Sequence, residues 1–116
     1  MNIEEFRNYC LSKPSVTEEF PFDETTLVFK VLGKMFALCG LERQPPAINL
    51  KCDPERAIEL REEYDGIIIS AFHMNKKHWN TVEINSLPRD LIIELIDHSY
   101  DLVVQGMPKK LREKLL

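Results

Sequence analysis

The sequence predicts an α+β domain built in two layers, a mainly antiparallel sheet with helices on one face. The first observation is the period of the apolar residues, which switches between helical and strand spacing and gives the order α-β-β-β-α-β-β-α. The second is that consecutive strands follow one another through short turns, which is typical of antiparallel pairing. The third is size, because 116 residues hold one hydrophobic core. We therefore expect a single domain over residues 1–116.

The first helix is predicted to begin after Asn2. Asn2 and Glu5 have the spacing of an N-terminal capping pair, and apolar residues then recur on one side of the segment. Pro14 disfavours helical geometry at the residue before it, so this helix should end near Lys13.

The segment after the first helix repeats the capping pattern. Ser15 and Glu18 are spaced as a second capping pair, but Pro21 follows closely. These residues predict one short helical turn, and we expect Phe20 and Phe22 to fill the core beneath it.

Three strands are predicted next, because apolar and polar residues alternate over residues 26–31, 35–39 and 47–51. Gly33 supplies a turn between the first two, which therefore form a hairpin. Residues 40–46 are predicted to be a polar loop that leads to the third strand.

The second helix should begin at Asp53, since an N-capping aspartate is followed there by a first-turn proline, Pro54. Gly66 suits its C-terminal end. Two short strands are then predicted over residues 67–69 and 78–84.

The longest helix is predicted to begin at Leu87-Pro88, where a broad apolar stripe starts. Gly106 and Pro108 mark its end. A short final helix is expected over residues 109–116, with one apolar face.

Composition narrows the classes of function. The net charge is −4, which counts against a dedicated nucleic-acid domain, since such domains are usually basic.

The acidic N-terminus does not resemble a secretory signal, and no apolar stretch approaches the roughly 20 residues that cross a bilayer. Cys10, Cys39 and Cys52 are widely spaced and odd in number, as expected for buried thiols in a reducing compartment. We expect a cytoplasmic protein without membrane contact.

No catalytic or metal-binding constellation is recognisable. His73 and His78 are five residues apart, with no third ligand at a diagnostic spacing. No nucleophile motif, carboxylate pair or glycine-rich phosphate loop accompanies them. The sequence therefore predicts no enzyme activity, no cofactor and no metal site.

The candidate binding residues belong to the face of the sheet that the helices leave open. Strand alternation places lysines there, and one polar segment adds histidines, amides and the single tryptophan. An outward tryptophan needs a surface to rest on, which is either a neighbouring part of the fold or a partner. Lysines on such a face are either solvated or a basic patch, and the sequence leaves both alternatives open. The candidates are Lys30, Lys34, Lys51, His73, Asn75, Lys76, Lys77, His78, Trp79 and Asn80.

The polar segment also carries a family resemblance. The run His73-Met74-Asn75-Lys76-Lys77-His78-Trp79-Asn80-Thr81-Val82 closely resembles the signature of the MmcQ/YjbR-like family, and further matches extend over almost the whole chain. The resemblance implies the α-β-β-β-α-β-β-α architecture in a double-wing arrangement, whose open sheet surface is thought to contact DNA. That functional label rests on structural analogy.

Two hypotheses follow from the resemblance and the residues together. In the first, the lysines meet DNA phosphates, Trp79 stacks on bases or wedges between them, and Asn75 and Asn80 pair with adenine edges. In the second, the same face binds a partner protein or a second copy of the chain, as an exposed aromatic residue on an acidic protein also favours.

Overall fold

The computed structural model describes residues 1–71 and 74–115 and contains one six-stranded antiparallel sheet with its helices on one face. The strand order is β1-β2-β3-β4-β6-β5. The predicted fold class is confirmed. The elements are α1 Ile3–Leu11, β1 Val16–Glu19, β2 Thr26–Val31, β3 Lys34–Gly40, β4 Ala47–Lys51, α2 Pro54–Glu63, β5 Ile68–Ser70, β6 Trp79–Glu83, α3 Arg89–Gln105 and α4 Lys109–Arg112, followed by a 3-10 turn, Glu113–Leu115.

The predicted helix starts are confirmed where a side chain caps them. The Asn2 side chain accepts a hydrogen bond from the Glu5 amide at 2.8 Å, and Asp53 accepts one from the Arg56 amide at 3.3 Å. Each bond satisfies one of the amides that a helix N-terminus leaves without an internal partner. None of the helices among the described residues has the length and apolar character needed to span a membrane.

The segment after α1 differs from its prediction. Residues 16–19 form the edge strand β1 rather than a helical turn, and Val16 pairs with Val31 of β2. Ser15 has φ of 59°, in the left-handed region, which lays the following residues along β2. Glu18 binds Arg7 of α1 through both carboxylate oxygens, at 2.6 and 2.5 Å, instead of capping a helix.

The placement of the two phenylalanines after β1 was also predicted wrongly. Phe20 is 50% exposed and Phe22 is 67% exposed, so neither fills the core. Because β1 is a strand, these residues lie in the connection between β1 and β2 and not beneath a helix.

The main core lies between the sheet and the helices. Phe6 of α1 meets Phe29 of β2 edge to face, with ring centroids 5.3 Å apart, and Tyr100 of α3 meets Phe36 of β3 in the same way. Edge-to-face pairs of this kind add to the stability that burial provides. This face is covered by α1, α2 and α3, and the opposite face of the sheet carries a separate, smaller apolar cluster.

Candidate functional site

The open face carries a small apolar cluster of its own at the middle of the sheet. Val28 of β2, Leu38 of β3, Trp79 of β6 and Ala71 are buried there. Met35 and Met74 pack against this cluster from outside it. This cluster, which we call the open-face cluster, is separate from the main core on the helix side of the sheet.

Trp79 lies on the open face as the alternation predicted, but it is not available to a ligand. Its side chain is only 8% exposed. Val28, Leu38 and Ala71 are buried with it, and Met35 and Met74 pack against the same cluster. The Ala71 amide donates to the Trp79 carbonyl at 3.1 Å, and the Trp79 amide donates to the Asn75 carbonyl at 3.0 Å. A ring buried to this extent leaves little surface on which a base could stack.

Asn80 belongs to the opposite, helix-covered face and is 2% exposed. Its Nδ2 donates to the Ala57 carbonyl of α2 at 3.3 Å, and its Oδ1 accepts from the Arg61 guanidinium at 2.6 Å. Both ends of the amide are thus occupied within the fold, and the expected contact between Asn80 and an adenine edge is wrong. The physical reason is alternation, since Asn80 follows the open-face residue Trp79.

Two of the candidate lysines meet at one end of the sheet. Lys34, at the start of β3, and Lys51, at the end of β4, line a shallow cavity of about 290 Å³ together with Val103, Gly106 and Met107. This cavity lies where α3 ends at Gly106. Lysines beside the carbonyl end of a helix interact favourably with its dipole, which accounts for their position without any ligand.

The polar segment borders the same end of the sheet. The Cys52 amide, which directly follows Lys51, donates to the His78 carbonyl at 2.8 Å. Lys76 and Lys77 are exposed in the turn that leads to His78, and the Lys77 amide donates to the Asn75 Oδ1 at 3.0 Å. We call Lys34, Lys51, Lys76 and Lys77 the basic end. His73 lies outside the described residues.

Lys30 does not belong to the basic end. Its Nζ lies 3.6 Å from a carboxylate oxygen of Glu19 on β1, so its charge is partly balanced by a neighbouring strand. The structure therefore divides the predicted site residues between the basic end, the open-face cluster and the helix side of the sheet.

The open face also carries a groove that the sequence did not reveal. A groove of about 520 Å³ lies beside the open-face cluster and is open to solvent. It is formed by the ends of β2, β3 and β4 together with three connecting segments. The groove is lined by Phe22, Thr26, Met35, Leu38, Gly40, Arg43, Ala47, Asn49, Met74 and Asn75.

The groove combines apolar walls with a few polar side chains, which are those of Thr26, Arg43, Asn49 and Asn75. Phe22, Met35, Leu38 and Met74 supply the apolar surface. Among the described lining residues, Arg43 is the one formally charged side chain, and it has no ion pair or side-chain hydrogen bond with the rest of the described chain. Of the ten lining residues, sequence reasoning proposed only Asn75, because the others meet only after the connections between strands have folded.

Among the groups with a perturbed pKa, Asp23 borders the groove: backbone hydrogen bonds from Thr25 and Thr26 lower the pKa of its carboxyl, and Thr26 is a lining residue. Burial is the first cause that raises the pKa of Cys39 and of Cys52 to about 11, and it also raises the pKa of Cys10. A raised pKa keeps a thiol protonated and unreactive at neutral pH. Within residues 1–71 and 74–115, no group of three or more His, Cys, Asp or Glu side chains could hold a metal ion. The arrangement offers binding surfaces.

Architecture and groove together define a small α+β domain with one covered sheet face and one open face. A family model described as YjbR matches residues 11–102, and the chain belongs to the YjbR family. The resemblance noted in the sequence is thereby confirmed.

Individual relatives agree with this assignment over nearly the full length. The uncharacterized protein YjbR of Escherichia coli (strain K12) is 35% identical over 117 residues, which span 100% of this chain and 98% of the relative. The uncharacterized protein YbdF of Escherichia coli O157:H7 is 37% identical over 105 residues, covering 90% of this chain and 85% of that protein. Neither name states an activity.

Solved structures of relatives have the same fold. The crystal structure of Deinococcus radiodurans protein DR2400, with a DUF419 domain, superposes with a TM-score of 0.91 at 42% identity, covering 98% of this chain and 87% of that one. A crystal structure of a Pseudomonas syringae protein gives a TM-score of 0.75 at 30% identity, covering 89% of this chain and 99% of that one.

Proposed function

We propose that this chain is a non-enzymatic binding domain that holds a segment of a partner protein in the groove of its open face. The observation that carries the proposal is the groove itself, an amphipathic concavity of about 520 Å³ between strand ends and connecting segments. Its volume falls within the roughly 300–1,000 Å³ of most ligand sites.

The side chains of the groove fit a protein ligand better than a nucleic acid. Phe22 is 67% exposed at its wall, and exposed aromatic residues are typical anchors of protein interfaces. Met35 and Met74 add flexible apolar surface that adapts to the shape of a ligand. A base-binding site would instead combine stacking groups with several cations in its lining, whereas Arg43 is the one cation among the described lining residues of the groove and Trp79 is buried.

A matched pair of variants tests the proposal. Phe20 and Phe22 are both exposed and two residues apart, but Phe20 lines a different cavity, with Ile3 and Leu27. Peptides would be selected from a random library on the immobilised chain, and their affinities measured by calorimetry. We expect Phe22→Ala to weaken them at least about tenfold, as for an interface anchor, while Phe20→Ala leaves them unchanged.

Mapping of the bound peptide provides the second measurement. Chemical-shift changes on peptide addition should cluster at Leu38, Asn49 and Met74. Changes centred on the helices, or equal losses of affinity in the two phenylalanine variants, would rule out the groove as the binding site.

A second candidate function is contact with DNA phosphates through the basic end, which the family resemblance implies. The specific observation in its favour is that Lys34 and Lys51 share one cavity wall while Lys76 and Lys77 border the same end of the sheet. Four phosphate contacts correspond to a slope of about −3 to −4 in log affinity against log salt for duplex DNA. With Trp79 and Asn80 engaged in the fold, this contact would be independent of base sequence.

Fluorescence anisotropy with a labelled duplex tests the DNA candidate. The double variant Lys34→Gln with Lys51→Gln should reduce the salt slope by about two. Lys30→Gln is the matched control, because Lys30 already pairs with Glu19. A slope near zero for the unmodified chain would remove this function.

A further inference from the structure

We propose that the partner segment held in the groove is acidic, with a carboxylate bound by Arg43 and the amides of Asn49 and Asn75 beside an apolar side chain that enters the groove. This inference rests on the proposed function and names the chemistry of its ligand. It is drawn from the polar lining of the groove, in which hydrogen-bond donors are left over and no acidic side chain is present among the described residues.

Asn75 has one donor without a partner in the described part of the chain. Its Oδ1 accepts from the Lys77 backbone amide at 3.0 Å. A backbone amide can only donate, so the orientation of the Asn75 side chain is fixed by this bond. The Nδ2 group of Asn75 is therefore left as a donor at the groove.

Asn49 is fixed in a similar way on the floor of the groove. Its Oδ1 accepts from the Thr81 hydroxyl at 2.6 Å, across the β4–β6 pairing in which the two residues stand opposite each other. The Nδ2 of Asn49 makes no hydrogen bond with another described residue. Thr81 is buried, so this orientation is supported from beneath.

Arg43 adds the charge. The backbone amide of Arg43 donates to the Gly40 carbonyl at 3.2 Å, which places the residue in the tight turn after β3. Its guanidinium is without an ion pair in residues 1–71 and 74–115 and faces no acidic group in the lining. The three donor groups are the Arg43 guanidinium and the Nδ2 groups of Asn49 and Asn75, and together they carry one positive charge. They complement a carboxylate, which only accepts hydrogen bonds and can bind a guanidinium through both oxygens.

The surroundings of the groove limit where the carboxylate can bind. Glu83 of β6 stands opposite Ala47 of β4, at the far side of the strand that carries Asn49. Asp23 also borders the groove, but its carboxylate is engaged by the amide and hydroxyl of Thr26. Like charges repel, so the ligand carboxylate should bind where the guanidinium of Arg43 balances its charge. The apolar surface of Phe22, Met35 and Leu38 then receives the neighbouring side chain.

The test uses pairs of amide-capped peptides that differ only by glutamate or glutamine, each flanked by leucines or by the selected sequence. We expect the glutamate peptide to bind about tenfold more tightly, as for one hydrogen-bonded charge in a partly desolvated site. Arg43→Gln should remove the difference between the two peptides. Arg112→Gln is the matched control, because Arg112 is an exposed arginine on α4 outside the groove lining.

The outcomes separate this inference from the proposed function. Equal binding of the two peptides, with sensitivity to Phe22→Ala retained, overturns the acidic ligand but leaves the groove as a protein-binding site. Absence of any Phe22-sensitive peptide overturns both. Displacement of the glutamate peptide by an oligonucleotide, in an Arg43-dependent manner, would instead assign the groove to phosphate and contradict a protein ligand.

Discussion

The hydroxyl of Ser99 on α3 accepts a hydrogen bond from the backbone amide of Lys51 at 2.9 Å and donates one to the Phe36 carbonyl. These two backbone groups belong to β4 and β3, which pair directly only at Ala37 with Leu50 and at Leu38 with Asn49. A fully buried side chain of the helix therefore replaces the hydrogen bonds that the strands do not make with each other. It also fixes the position of Lys51 at the basic end.

Replacing Ser99 should destabilise the fold. Ser99→Ala leaves a partly buried amide and a buried carbonyl without this partner, and we expect the free energy of unfolding to fall by about 1–3 kcal/mol. Urea denaturation followed by circular dichroism measures this change. Ser86→Ala is the control, because Ser86 is exposed and should change stability by no more than about 0.5 kcal/mol. Equal stabilities of the two variants would contradict the role of Ser99.

Asn80 is expected to stabilise the fold and to have no direct part in ligand binding. Asn80→Ala removes the acceptor of Arg61 and the donor to Ala57, and should lower the free energy of unfolding by about 1–3 kcal/mol. Asn85→Ala, at an exposed turn position, is the control. At a temperature where both variants remain folded, DNA and peptide affinities should match those of the unmodified chain. A selective loss of DNA affinity in Asn80→Ala would restore the base-contact hypothesis.

The fold was largely predictable from the sequence because its signals are local. Asn2 and Asp53 cap their helices through bonds to amides three residues ahead, so spacing alone identifies them. Residues 15–18 carry the same spacing and yet form a strand, because pairing with β2 and the bond between Glu18 and Arg7 are long-range and outweigh the local preference. The capping spacing is therefore reliable only where an apolar helical stripe follows.

The candidate site was less predictable, because it depends on which face of the sheet is covered and on which parts of the chain cover it. Alternation placed Trp79 on the open face correctly, but the cover that Met74 provides comes from a connecting segment without a periodic signal. Phe22 and Arg43 also lie in connections between strands, so neither belongs to a periodic pattern that could have placed it at the groove. Sequence periodicity assigns residues to faces, whereas the shape of a face depends on its loops.

A second set of contacts joins α1 to α3 and should make stability depend on pH in the alkaline range. The Tyr9 hydroxyl donates to Asp97 at 2.6 Å, and the Lys13 ammonium lies 2.6 Å from the same carboxylate and 4.9 Å from the centre of the Tyr100 ring. Burial, followed by the bond to Asp97, raises the pKa of Tyr9 to about 12.

The direction of the effect follows from that raised pKa. The stability that the protonated Tyr9 hydroxyl contributes to the fold is fully present below the ordinary tyrosine pKa of about 10. It is lost as the pH rises toward about 12. We expect the denaturation midpoint of the unmodified chain to fall over this interval more steeply than that of Tyr9→Phe. Ultraviolet titration of tyrosinate should lose its most alkaline component in Tyr9→Phe but keep it in Tyr64→Phe. Identical titrations of these two variants would contradict the assignment.

His98 should make stability depend on pH on the acidic side of neutrality. Its Nε2 accepts a hydrogen bond from the Asp53 amide at 3.2 Å, at the start of α2. This bond requires the neutral form of the His98 ring. Burial, and then the positive charge of Arg56, lower the pKa of His98, while Asp53, Glu94 and Asp101 act in the opposite direction. Protonation of His98 turns Nε2 into a hydrogen-bond donor. It then faces the Asp53 amide, which is also a donor, and the hydrogen bond is lost.

The pKa of His98 is lower in the folded state than in the unfolded state. The stability that His98 contributes is therefore fully present above its unfolded-state pKa of about 6.5, and it is lost as the pH falls through the lower folded-state pKa. The free energy of unfolding of the unmodified chain should therefore decrease below about pH 6.5 more steeply than that of His98→Gln, which cannot be protonated. His78→Gln keeps His98 and should retain the steep decrease. Parallel pH profiles for the unmodified chain and His98→Gln, measured by urea denaturation, would show that the bond to Asp53 is not linked to protonation.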